Sequence, residues 1–368
     1  MVKSAALFLL AALLWQTGPL ASRLSPLASH STPAREADFY HKLDNKLVAC
    51  DLCPRRCVIA PGQRGVCRVR ENRDGRLYSV VYGHPCSVGK EPIEKAPLFH
   101  FLPGRERITL ATAGCNQFCK YCQNWEISQA RPEDLQSYDL SPADVVALAV
   151  KEKVPIICFT YSEPVIFYEY MIDIARLARA KGIRTAVVTG GYVNPEPLKQ
   201  LCSAVDAIKI DLKGFTPEFY QDVCNSTLDP VLEACRTVAQ SHTHLELVNL
   251  VVPALNDDTT TIRKMCRWIR ENVGDTVPVH FTAFHPEYRL QNSPPTPVAT
   301  LERAIAIARS ESLKFTYIGN VPGHQAENTY CPNCGKVVIK RSGYSIVENN
   351  LKDGKCPYCG TRIPGVWQ

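Results

Sequence analysis

The sequence carries no massed run of basic residues. Its 42 Lys and Arg against 36 Asp and Glu leave a formal charge of only +6 spread over 368 residues. No basic, aromatic-studded face is visible in the linear order, which argues against a nucleic-acid partner. Long apolar runs are scarce as well. The run from Ala5 to Trp15, after Met1-Val2-Lys3, is shorter than the ~20 residues of a spanning helix and has the character of a signal-peptide apolar region. Gly18-Pro19-Leu20-Ala21 would extend it into a weak anchor. One lysine before it, and Arg23 and Arg35 after it, favour a cytoplasmic body only weakly. Residues 16–37 are rich in Ser, Pro, Ala and Leu without periodicity, which predicts a linker, with the ordered chain starting near Asp38. Apolar residues make up 45% of the chain, enough for one large domain with attachments.

Cysteine, by contrast, is plentiful, and most of the 17 cysteines fall in groups at metal-ligand spacing. That clustering favours a reducing compartment and metal ligation over disulfides. Cys115, Cys119 and Cys122, in Thr112-Ala113-Gly114-Cys115-Asn116-Gln117-Phe118-Cys119-Lys120-Tyr121-Cys122, are spaced C-x3-C-x2-C. Iron–sulfur clusters are normally held by four cysteines, so a close trio leaves one iron of a [4Fe-4S] cube open. Buried structural thiols or part of a zinc site are the alternatives. Against them, Tyr121 precedes the last cysteine, and the trio follows Ile108-Thr109-Leu110-Ala111-Thr112, which reads as a strand running into a Gly-containing loop. Barrels and open α/β sheets place ligands at such strand ends.

Two further groups stand at the ends of the chain. Cys50, Cys53, Cys57 and Cys67 lie within eighteen residues and are expected to hold zinc or an auxiliary cluster, between which spacing does not choose. Cys86 reads as a lone buried cysteine. Cys331-Pro332-Asn333-Cys334-Gly335 and Cys356-Pro357-Tyr358-Cys359-Gly360 are paired knuckles of zinc-ribbon type, predicting a structural zinc, with a rubredoxin-like iron as runner-up. Strand-like Val337–Ile339 and Tyr344–Val347 lie between the knuckles.

Between these groups strand-like and helix-like segments alternate, which predicts a parallel α/β sheet. Strands are expected at Ile156–Thr160, Thr185–Thr189, Ala207–Asp211, Leu245–Val252, Val279–Ala283 and near Lys314–Ile318. Helices are expected at Ser141–Glu152, with a capping box using Asp144, and at Val165–Lys181, Pro195–Ala204, Asp229–Gln240, Thr259–Glu271 and Thr300–Ser312.

Cys53-Pro54-x-x-Cys57, Pro92-Ile93-Glu94-Lys95-x-Pro97-Leu98-Phe99-His100-Phe101-x-Pro103-Gly104, the Cys115–Gln129 run and the C-terminal pairs together resemble the AmmeMemoRadiSam-system radical S-adenosylmethionine (SAM) enzymes, themselves similar to pyruvate formate-lyase activating enzymes. The resemblance covers about Val48 to Trp367. It implies a partial (β/α)6 barrel of radical SAM type (105–322) between an N-terminal signal-like or anchor segment (1–37), a cysteine-rich segment (38–104) and a zinc-ribbon-like module (323–368). It also implies a [4Fe-4S] cluster on Cys115, Cys119 and Cys122, with SAM on the open iron cleaved to a 5′-deoxyadenosyl radical.

By the same resemblance Ser162 and Glu163 in Thr160–Pro164 match the segment holding the SAM amino group. Their other reading is a helix start capped by Ser162. Gly191 and Asn194 sit at the next strand end, where Gly190 replaces a more usual Asn. Asp211 and Lys213 resemble ribose- and carboxylate-contacting positions, or else form an ion pair. Val252–Asp257 resembles the run flanking adenine, and His285 lines the same mouth. The implied partners are a low-potential electron donor and Memo-like and AMMECR1-like proteins, with the substrate, protein or small molecule, left open. An oxygen-labile cluster that needs cytosolic SAM favours a cytoplasmic body over export. The competing class is a metal-loaded binding module whose trio senses redox state without SAM turnover.

Overall fold

A computed structural model describes residues 34–368; the signal-like segment lies outside them. The centre is one eight-stranded sheet. Strand β1 (Ser87–Pro92) pairs antiparallel with β2 (Glu106–Ala111), and from β2 onward every neighbour is parallel: β3 (Ile156–Phe159), β4 (Arg184–Thr189), β5 (Ala207–Asp211), β6 (His244–Val251), β7 (Val279–Ala283) and β8 (Thr316–Gly319). Because β1 and β8 do not pair, the barrel stays open. Helices α1 (Pro142–Lys151), α2 (Tyr168–Ala180), α3 (Pro195–Ala204), α4 (Asp229–Ala239), α5 (Thr259–Asn272) and α6 (Val298–Ser310) return the chain between the parallel strands, so the fold is six β/α units and a closing strand.

The elements follow from local chemistry. Helix α1 starts at Ser141, whose Oγ accepts from the Asp144 amide at 3.3 Å while Asp144 Oδ2 accepts from the Ser141 amide at 2.9 Å. On β5 and β6, Ile208, Ile210, Leu245 and Leu247 are buried in the main apolar core, while Lys209 and Glu246 alternate with them and sit side by side in the ladder. The barrel interior is therefore polar, with Glu246 and His280 joined at 2.7 Å.

Two boundaries differ from expectation. Arg35–Glu36 already pairs with Tyr78 and Ser79, so the described residues carry strand structure three residues before Asp38. Strand β1, not expected from the sequence, lies within the 38–104 stretch yet pairs in the barrel sheet. The residues after it, Ile93 to Leu102, plug the bottom of the barrel against Ile156, Cys158, Ala186 and Ala207. The C-terminal module packs on that plug through Phe99, Phe315, Tyr317, Val338 and Ile363. Arg341 donates to the Phe99 carbonyl at 2.8 Å, and the Leu102 amide donates to the Val366 carbonyl at 2.7 Å. No helix among the described residues is long and apolar enough to cross a membrane.

Candidate active site

The cysteine trio lies on the loop after β2, at the carboxyl ends of the parallel strands. Gly114 has φ +92°, and a Cβ there would meet the Cys67 carbonyl oxygen at 2.5 Å and Val69 at 2.8 Å, so only glycine lets the loop press onto the N-terminal segment. Phe118 and Lys120 amides donate to the carbonyls of Cys224 and Val223, both at 2.9 Å. Asn116 Nδ2 donates to the Tyr192 carbonyl at 2.8 Å and Gln117 Nε2 to Ser226 Oγ at 2.9 Å. The loop is thus fixed from three sides. Burial pushes the Cys115 and Cys122 thiols upward, and contact with Cys224 followed by burial does so for Cys119. A metal's positive charge is what converts such thiols to thiolates.

Opposite the trio, β3 runs into Thr160–Pro164. Tyr161 takes a left-handed φ of +69°, a conformation that a non-glycine residue holds only when its surroundings fix it; its hydroxyl donates to Glu91. Glu163, not Ser162, caps the following short helix, accepting from the Val165 amide at 3.1 Å, the Gly190 amide at 2.8 Å and Thr189 Oγ1 at 2.6 Å. Burial raises its pKa. Ser162 Oγ is left buried with no partner. A Cβ at Gly190 would collide with Gln117 Oε1, so the glycine in place of asparagine makes room for the loop that carries the cysteine trio.

The remaining candidates divide. Lys213 Nζ lies 3.5 Å from Asp211, which also pairs with Lys209. Despite burial, Cys119 and Asp211 hold the Lys213 ammonium charged, so a cation faces the trio. Gly191, at φ +69°, faces Ile210 and Val231, a packing requirement. Asn194 Nδ2 donates to the Asp51 carbonyl at 2.6 Å, tying the start of α3 to the N-terminal segment. In Val252–Asp257, Leu255 is 42% exposed, while Asn256 Nδ2 donates to the Lys213 and Leu250 carbonyls at 2.8 and 2.9 Å. The exposed His285 Nδ1 meets Gln123 Nε2 at 3.1 Å.

The Radical SAM superfamily profile matches residues 109–269. The chain carries a radical SAM domain. An uncharacterized protein of Methanocaldococcus jannaschii is 45% identical over 331 residues, 89% of this chain and 98% of that protein. The pyruvate formate-lyase-activating enzyme of Clostridium pasteurianum is 22% identical over 181 residues, 47% of this chain and 72% of that protein. Among solved structures, a domain of pyruvate-formate lyase-activating enzyme from Bacteroides vulgatus aligns with a TM-score of 0.40 at 20% identity, covering 44% of this chain and 98% of that one.

A radical SAM enzyme implies a [4Fe-4S] cluster and SAM, and the residues present fit both. The trio supplies three thiols on a fixed loop, and Ser162 Oγ and the Lys213 ammonium are polar groups at the same mouth. The C-terminal thiols differ in kind. Cys331, Cys334, Cys356 and Cys359 all lie within 4.8 Å of one another, the only such group of His, Cys, Asp or Glu ligand atoms among the described residues. Cys331 lies 3.5 Å from Cys359 and Cys334 lies 3.7 Å from Cys356. Zinc at about 2.3 Å from each sulfur draws thiolates to just this range. Thr361 holds the Cys359 thiol down at about 6, easing its ionisation. The N-terminal thiols surround a separate cavity.

Residue reading missed three participants. Cys224 lies beside the trio, 3.6 Å from Tyr121 Oη, and no local spacing marks it. Gln117 and Asn256 act through backbone and loop contacts of remote segments. The only available signal for Gln117 was Gly190, whose missing side chain it fills.

Proposed function

We propose that this radical SAM enzyme uses Cys115, Cys119 and Cys122 to hold the cluster, with SAM between the trio and the Thr160–Pro164 turn, and abstracts hydrogen from a partner protein. Bound there, the cluster and SAM supply a 5′-deoxyadenosyl radical. The chain's own residues do the positioning. Ser162 Oγ accepts from the SAM ammonium, and Glu163 keeps the turn in register by bridging Val165, Thr189 and Gly190. Lys213 offers its cation to the SAM carboxylate, held in place by Asp211 and by Asn256 on its carbonyl. The C-terminal quartet holds a structural zinc.

The observation that carries a protein substrate is the aromatic platform beside the trio. Trp125, three residues past Cys122, stacks on Tyr288 at 5.2 Å with the rings 13° from parallel. It stays 37% exposed, and its Nε1 donates to Glu287 at 3.2 Å. An exposed indole stacked on a half-buried tyrosine at the mouth suits a docked polypeptide. The names of several relatives, among them the isethionate sulfite-lyase activating enzyme of Desulfovibrio desulfuricans, speak of activating another enzyme. Resemblance to the AmmeMemoRadiSam system nominates Memo-like and AMMECR1-like proteins as partners, with a low-potential donor supplying the electron.

The test is 5′-deoxyadenosine release by anaerobically reconstituted, reduced protein, with and without those partners, beside Cys119→Ala. Release by the parent, accelerated by a partner that acquires a mass change or a glycyl-radical signal, supports the proposal. Release unaffected by any protein but accelerated by a small molecule overturns the choice of substrate. A clustered parent as inactive as Cys119→Ala under every condition overturns the whole assignment.

A further inference from the structure

Cys50 ends a short strand, Cys53 and Cys57 lie in the loop that follows it and Cys67 in a later turn, yet all four line one cavity, with Arg70 and Asn116 on its wall. None of the four is in a disulfide, and three are buried. Four thiols converging without bonding to one another are an unusual way to fill space in a core. The site is also built around them: Gly65 has no side chain where a Cβ would lie 3.6 Å from Cys57 Sγ and 3.3 Å from Ile59.

Thiol spacing decides between the two groups that accept four cysteines. No three of these thiols lie within 4.8 Å of one another, whereas all four C-terminal thiols do. Zinc with bonds of about 2.3 Å requires the tight arrangement; a cube of iron and sulfide keeps its terminal thiolates farther apart, one on each iron corner. The trio at Cys115, Cys119 and Cys122 falls on the wide side of the same limit. A buried cation also faces the cavity. Arg70, 1% exposed, binds Glu169 through both terminal nitrogens at 2.9 and 3.2 Å, but its Nε is buried with no acceptor. Sulfide or thiolate of an anionic four-cysteine cluster would provide one.

We infer that the N-terminal segment holds a second [4Fe-4S] cluster, ligated by Cys50, Cys53, Cys57 and Cys67 and separated from the trio by the Gly114–Asn116 stretch of the same loop. Asn116 lies on the cavity wall while its neighbour Cys115 belongs to the trio. Arg55 Nε closes the seam by donating to the Asn116 carbonyl at 3.0 Å.

Metal counting on the full-length chain tests this without reference to SAM chemistry. After anaerobic reconstitution with iron and sulfide, the parent should carry about eight irons and one zinc per chain. Cys115→Ala/Cys119→Ala/Cys122→Ala should keep about four irons in a diamagnetic oxidised cluster by Mössbauer spectroscopy. Cys53→Ser/Cys67→Ser should lose about four and keep the trio's cluster. Retained zinc and an unchanged circular dichroism spectrum report that each variant is folded. A folded trio variant without iron, or a parent with two zincs and about four irons, overturns the inference while leaving the SAM assignment standing.

Discussion

Single atoms at the mouth carry separable loads. Ser162 Oγ is buried without a partner, so Ser162→Ala removes no hydrogen bond within the protein and should leave the fold intact. If that oxygen receives the SAM ammonium, the variant should bind SAM about tenfold more weakly, the worth of one charge-assisted hydrogen bond, at unchanged iron content. Equilibrium dialysis against SAM checks this, and unchanged affinity would remove Ser162 from the site. Gly190 makes the opposite case. An added methyl collides with Gln117 Oε1, so Gly190→Ala should cost about 1–3 kcal/mol through overpacking and displace Gln117 from Ser226. Shortening the obstacle in Gly190→Ala/Gln117→Ala should recover part of the thermal midpoint; two strictly additive losses would show that the clash lies elsewhere.

Strands and helices of the barrel were readable from sequence because their signals are local. Strands β5 and β7 have the expected bounds, α3 likewise, and α1 begins at its capping box. Strand β1 was missed because its sequence, Ser87-Val88-Gly89-Lys90-Glu91-Pro92, has little β-propensity and is held by the ladder to β2. Plug and ribbon were seen as motifs, but their meeting at the barrel floor depends on contacts between residues such as Phe99 and Arg341, 242 positions apart. Glu246 organises that floor from inside β6. It accepts from the Phe99 and His100 amides at 3.0 and 2.7 Å and pairs with His244 and His280 at 3.0 and 2.7 Å. Although burial opposes it, these donors hold the carboxyl below its ordinary 4.5. A lowered pKa means the contribution is complete above about pH 4.5 and lost as pH falls below it. His100, pushed down to about 3 by burial, acts in the same direction from near pH 6.5 downward, because the unfolded chain takes up the proton first. Glu246→Gln should therefore lower stability at pH 7 by about 1–3 kcal/mol, the cost of leaving its buried donors poorly paired, and flatten the acid limb without abolishing it. Chemical denaturation between pH 7 and pH 4 measures both, and a parallel limb in the variant would exclude Glu246 as its source.

The whole molecule is arranged along the barrel axis, with the cysteine trio at one end of the parallel strands and the C-terminal quartet at the other. The quartet's sulfurs lie against one another and against Thr361 Oγ1. The quartet stands on Phe99, Phe315 and Tyr317, whose neighbours Glu246 and His280 fill the lumen floor. In that position a bound metal would act on stability, since a module this small has too little apolar core of its own and would fold around its ion. Removing zinc should unfold the knuckles, expose the plug and lower the thermal midpoint, while the trio end keeps its geometry. Cys334→Ser together with Cys359→Ser alters the two exposed ligands and leaves the buried pair in the core. This double variant should contain no zinc, melt several degrees lower and bind SAM within about twofold of the parent, less than 1 kcal/mol. Zinc analysis, calorimetry and SAM dialysis on one preparation read all three. If SAM affinity falls together with zinc at a temperature well below the variant's melting transition, the barrel transmits the state of its floor to its mouth, and the module regulates the site in addition to stabilising the fold.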